Sequence, residues 1–133
     1  MTACATDEVV DGAAEATLPV IDPQALLERC MGEASAASAV LTMFHDRLPR
    51  LVAEIGASLV DPQARKATLS KVHNLKGNAG NLSADRLYRV ASLLESALRR
   101  EEFTDIPLLL QDLQREADAL SCAIPAVLET LSR

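Results

Sequence analysis

Val72-His73-Asn74-Leu75-Lys76-Gly77-Asn78-Ala79-Gly80-Asn81-Leu82 is the stretch on which the reading of this chain turns. On a helical wheel of about 100° per residue, with Val72 as zero, Leu69, Leu75, Ala79 and Leu82 gather around Val72 and predict a core-facing stripe. His73 then falls near ~100°, Gly80 near ~80° and Gly77 near ~140°, with Lys76 near ~40° on the border between core and surface. A glycine inside a helix costs roughly 1 kcal/mol relative to alanine, and this segment carries two. Beside an exposed imidazole they would leave a bare strip of backbone that another protein can approach closely.

Helical periodicity extends outward from this segment in both directions. Asp22-Pro23 reads as an N-cap followed by proline at the first helical position, opening a short helix that ends near Met31-Gly32. Val40, Leu41, Phe44, Leu48, Leu51, Val52, Ile55 and Leu59 form the next stripe, with Pro49 expected to kink or locally break the helix. Asp61-Pro62 opens the helix that carries His73, and Asn78, Gly80 and Asn81 should weaken its end. Ser83 or Ala84 starts a helix with Leu87, Val90, Ala91, Leu94 and Leu98 inward, ending near Glu101. Thr104 or Asp105, with Pro107, starts the last one. Its stripe runs from Ile106 through Leu113, Leu120 and Ile124 to Leu131, with a kink expected at Pro125. The expectation is an all-α chain: an antiparallel four-helix bundle with a short extra N-terminal helix over residues 21 to 133. Residues 1 to 20 lack a sustained period and read as a disordered lead-in.

Composition narrows the class. A chain of 133 residues is one domain, and two Phe, one Tyr and no Trp leave the core to Leu, Val, Ile and Ala. Cys4, Cys30 and Cys122 are odd in number and widely spaced, so they read as reduced thiols of a cytoplasmic protein. No apolar run approaches the roughly 18 residues of a membrane span, and no signal peptide is evident, so membrane insertion is not expected. The net charge is −6, but residues 61 to 100 hold eight basic groups against three acids, which leaves −11 for the rest. That basic section surrounds His73 and would attract an anionic group or an acidic partner. Overall acidity and scarce aromatics argue against nucleic acid. Arg99 and Arg100 read as charges complementing a helix C-terminus.

The joint pattern His-x-Leu-Lys-Gly-x-x-Gly-x-Leu from His73, followed by Leu87, Ala91, Leu94 and Glu95, resembles the histidine-containing phosphotransfer (HPt) domains of two-component phosphorelays. The match runs from about Val72 to Glu95, within a compatible helical layout over roughly residues 22 to 130. One departure is visible: the family's Leu-Gly after the motif is Leu82-Ser83 here, and Ser83 is expected to cap the following helix. The resemblance implies that His73 is phosphorylated and that Lys76 steadies the phosphoryl oxygens or the partner's acids. It also implies that Gly77, Gly80, Lys66, Ser70 and Asn74 face the partner. That partner would be the receiver domain of a response regulator, or a hybrid sensor histidine kinase.

An imidazole nitrogen accepts and donates phosphoryl groups near neutral pH without a separate base. The sequence has no Walker loop, no glycine-rich nucleotide loop and no acids spaced for Mg²⁺. A phosphocarrier without kinase activity is therefore expected, with no cofactor of its own and with Mg²⁺ supplied by the partner receiver domain. A monomer is expected. His45, the other histidine, follows Phe44 on the long second helix and is not expected to have a functional role, and Phe44, on the core stripe, is read as structural. Two histidines without partnering cysteines make a metal site, and so a small helical metalloenzyme, an unfavoured reading. The alternative function is a docking or scaffold module of the same fold whose histidine is not phosphorylated.

Overall fold

The computed structural model describes residues 18–133, and every regular element among them is helical. Residues 1–17, with Cys4 and most of the expected lead-in, lie outside the described residues. The elements are α1 (Pro23–Arg29), α2 (Ala34–Leu59), a 3-10 turn (Pro62–Ala64), α3 (Arg65–Asn81), α4 (Asp85–Arg100) and α5 (Ile106–Leu131). Helices α2 to α5 pack in cyclic order, each against the next and α5 back against α2. Short connections make neighbours antiparallel, so the expected four-helix bundle with an extra N-terminal helix is what the chain forms.

The core is aliphatic. Leu41, Leu48 and Ile55 of α2, Val72, Leu75 and Ala79 of α3, Leu87, Ala91 and Leu94 of α4, and Leu113, Leu120 and Ile124 of α5 are all 0 or 1% exposed. These are the stripes read from periodicity, with one exception. Val40 was placed inward and is 43% exposed, at the edge of α2's buried face.

Both internal prolines lie within continuous helices, so of the kink or local break expected at Pro49 the break does not occur. Pro49 and Pro125 lie exposed, so the carbonyls they leave unpaired can turn to water, while Leu48 and Ile124 beside them hold the helices to the core.

Asp22 caps α1 as expected, its Oδ1 accepting from the Ala25 amide at 3.1 Å. The backbone also ties the entry of the chain to the α3–α4 turn: the Asp22 amide donates to the Ser83 carbonyl at 3.0 Å, and the Arg86 amide to the Pro19 carbonyl at 3.4 Å. Ser83 does not cap α4. It closes α3, with φ +59°, the Ala84 amide donating to the Ala79 carbonyl at 2.9 Å and the Ser83 amide to Gly80 at 3.1 Å. This is a left-handed helix ending of the kind that glycine usually serves, which explains how serine stands where the family has glycine. The serine hydroxyl has its own use, accepting from Arg29 Nε at 3.2 Å.

Further ties fix the helices that carry His73. Ser58 and Thr68 share a hydroxyl–hydroxyl bond of 2.6 Å between α2 and α3. The Arg65 guanidinium lies 4.2 Å from the centre of the Phe103 ring, joining the start of α3 to the α4–α5 connection. Cys30 is a free thiol, but Cys122 is disulfide-bonded, so the expectation of three reduced thiols fails at Cys122.

Candidate functional site

Helix α3 is a partly amphipathic helix whose solvent face carries Lys66, Ser70, His73, Asn74 and Gly77, all exposed and spaced by three or four residues. Its opposite face, through Val72, Leu75 and Ala79, is sealed in the core. His73 is therefore held on a rigid element, with its side chain 59% exposed.

The ring is fixed from α4. His73 Nδ1 lies 2.7 Å from Glu95 Oε2. Glu95 sits on the core-facing side of α4, next to Leu94 and one turn from Ala91 and Leu98, and is only 5% exposed. A carboxylate buried that deeply needs charged partners, and the packing of α3 against α4 provides them. Lys76 Nζ lies 2.7 Å from Oε1, and Arg99 donates to Oε2 at 2.9 Å. The Lys76 ammonium, then Arg99 and His73, hold the Glu95 carboxyl at about 2 instead of 4.5, overriding the burial that pushes it up.

Because an ionised carboxylate only accepts hydrogen bonds, Nδ1 of a neutral His73 is the donor in this pair. The free lone pair then belongs to Nε2. The geometry thus leaves one ring nitrogen open to solvent and commits the other to a buried anion.

The two glycines differ. A Cβ added at Gly77 would meet nothing within 4 Å, so the helix surface there is bare. At Gly80 a Cβ would lie 3.2 Å and 3.3 Å from the Tyr88 ring of α4. The room at Gly80 is filled by the protein's own aromatic ring, while the bare strip is at Gly77. Lys76, read as lying on the border, is 27% exposed and turned to Glu95.

Two members of this cluster, Glu95 and Arg99, do not stand out as site residues in the sequence. Glu95 was visible only as the acid of the Leu94-Glu95 pair, yet an acid on a core stripe is itself a signal that cations must meet it. Arg99 was assigned to the helix terminus; its i,i+4 spacing from Glu95 was the available clue.

On the other side of α3, its C-terminal residues Asn78 and Asn81 face a groove along α2 lined by Val40, Met43, Arg47 and Arg50. Val40 and Met43 expose 43% and 55% of their surface there. Among the described residues no three His, Cys, Asp or Glu side chains are grouped to hold a metal ion, and no helix is long and apolar enough to cross a membrane.

Comparison with known families matches residues 39–123 to the Hpt domain. Among solved structures, the HPT domain of an Hpt sensor hybrid histidine kinase from Shewanella is 25% identical, with a TM-score of 0.75, over 86% of this chain and 97% of that one. A rice protein assigned as a histidine-containing phosphotransfer protein has the same fold at 19% identity and a TM-score of 0.70, over 85% of this chain and 82% of its own. No curated protein matches the chain.

Proposed function

The chain belongs to the Hpt domain family, the histidine-phosphotransfer modules of two-component signalling, and on that premise we propose that it carries a phosphoryl group on Nε2 of His73 between receiver-domain aspartates. The observation that carries this reading is the His73–Glu95 bond of 2.7 Å, which orients an exposed imidazole and leaves its second nitrogen free.

In the forward step the Nε2 lone pair attacks the phosphorus of an aspartyl phosphate on the receiver. An N–P bond forms, the P–O bond to the aspartate breaks, and its electron pair leaves as the carboxylate. The imidazole proton stays on Nδ1, so the phosphorylated ring carries a positive charge against the Glu95 carboxylate. Reversal delivers the group to a second receiver. The acids that hold Mg²⁺ for this step belong to the receiver domain, since transfer requires mainly positioning and charge neutralisation. Lys76 serves by fixing Glu95, one turn from His73. Lys66, Ser70, Asn74 and Gly77 form the face on which the receiver docks, with the Val40–Met43 flank of α2 beside it. Gly80 contributes indirectly, by letting Tyr88 lie close against α3. The chain acts as a monomer without kinase activity of its own and is loaded by a hybrid sensor kinase or its receiver.

The test is to mix the protein with a receiver labelled on its aspartate. Label should move to this chain, be labile to acid and stable to base, and be absent from a folded His73→Gln variant. Labelling of His73→Gln would remove the assignment. A wild-type chain that binds receivers without taking label would instead be the scaffold module of the same fold.

A further inference from the structure

Glu95 is a single negative group facing two positive ones, and the way they divide its oxygens matters. Lys76 occupies Oε1 at 2.7 Å. Arg99 and His73 share Oε2, at 2.9 Å and 2.7 Å. A carboxylate bonded to an imidazole ordinarily stabilises the imidazolium, because opposite charges at that range favour the ionised form. An imidazolium, however, carries a proton on each nitrogen and has no lone pair to offer. A phosphoacceptor histidine needs the orientation that Glu95 provides without the second proton that its charge attracts. A permanent cation on the same oxygen meets both needs. The Arg99 guanidinium is charged at every relevant pH; it draws on the charge at Oε2 and also repels a second proton on the ring.

We propose that Arg99 is a positioning residue of phosphotransfer: it offsets the Glu95 carboxylate at the shared oxygen, so that Glu95 orients His73 through Nδ1 while Nε2 keeps its lone pair. The inference rests on His73 being the phosphoacceptor, and it assigns a function to a residue outside the His-x-Leu-Lys-Gly motif. Glu95 is the charged group bonded to the ring, and the cations bonded to Glu95 come from two helices, Lys76 on α3 and Arg99 on α4. Glu95 and Arg99 lie four residues apart on one helix, so their pair is set up locally and waits for α3 to bring the imidazole. Arg99 is 57% exposed, so water screens part of its field. Its action is therefore a partial offset of the carboxylate's charge.

The experiment follows the two histidine rings by NMR in the full chain, titrated from about pH 4.5 to 9, with His45 on α2 as the internal control. Arg99→Ala should raise the His73 midpoint by roughly half to one pH unit and leave His45 where it is. Arg99→Lys, which keeps the charge, should recover at least half of that shift. In transfer from a phosphorylated receiver, Arg99→Ala should be slowed roughly three- to tenfold near pH 6 and approach the wild-type rate near pH 8.5. An Arg99→Ala midpoint equal to or below the wild type overturns the proposal. So does a transfer defect of the same size at every pH with an unmoved midpoint, which would make Arg99 a docking contact. The titration needs no receiver: a shifted midpoint with no labelling of His73 keeps the charge offset and strikes only the phosphoacceptor assignment.

Discussion

The bundle buries two glutamates, and they do different things. Glu95 and Glu116 are 5% and 2% exposed, each on the inward side of its helix and each paired with arginine. Glu116 of α5 is gripped by Arg86 of α4, with Nε 3.0 Å from Oε1 and Nη2 3.1 Å from Oε2. Arg115 stands 4.0 Å away and is itself bonded to Asp112 at 2.9 Å. The acid and its main partner close on each other, and the product is a clasp between α4 and α5. Glu95 divides its oxygens among three donors, and one of these is an exposed, titratable ring. A buried acid becomes part of a chemical site when one of its partners reaches solvent with a free nitrogen. Burial and ion pairing alone identify only a group that must be neutralised.

The largest effect expected from this contrast is on stability at the clasp. Glu116→Ala leaves Arg86 without its carboxylate and should destabilise the fold by roughly 2–3 kcal/mol, less than for a fully buried pair because Arg86 keeps some water. Phosphotransfer by the folded fraction should be unchanged. Urea unfolding combined with label transfer measures both; slowed transfer at native denaturant levels would show that the two clusters are coupled.

Glu95→Gln should do the reverse. The amide preserves shape but cannot balance charge on the ring, so transfer should slow roughly ten- to hundredfold while the protein stays folded. Transfer at the wild-type rate would reduce Glu95 to a second clasp.

The same residue should sign the acid limb of stability. Its folded value of about 2 lies below the unfolded value near 4.5, so its contribution is present above about pH 4.5 and is lost as the pH falls toward 2. The stability difference between wild type and Glu95→Gln should therefore shrink through that window. A difference that stays constant from pH 5 to about 2 would contradict the depressed value.

The smallest effects belong to the glycines. Gly77→Ala adds a methyl into open space on a helix and should stabilise by up to roughly 1 kcal/mol. Gly80→Ala gains the same propensity but must push the Tyr88 ring by a few tenths of an ångström, so its net change should be nearer zero. Thermal melts of the two variants rank them, and an equal gain at both would mean that Tyr88 yields freely.

The order of helices, the inward stripes and the exposed place of His73 were legible because each follows from local spacing: 3.6 residues per turn puts Leu75 and Ala79 on one side and His73 and Gly77 on the other. The caps at Asp22 and Asp61 were equally local, each closed within three residues, although Asp61 caps the 3-10 turn that leads into α3 and not α3 itself. What the sequence could not decide depends on which helix lies beside which. Ser83 reads as a cap from its side chain, but the turn that joins α3 to α4 and receives α1 puts its backbone in the left-handed region. Pro49 reads as a kink or a local break, but Leu48 and Val52, both buried, hold the helix to the core across one lost hydrogen bond. Gly80 reads as bare, but α4 lays Tyr88 over it. Glu95 reads as an acid on a helix and becomes the anchor of His73 because α3 and α4 pack at a register that brings residues 22 positions apart to within 2.7 Å. Helical periodicity is a property of a few consecutive residues and is written along the chain. The partner of a buried charge is chosen by packing between helices, and only the tertiary structure contains it.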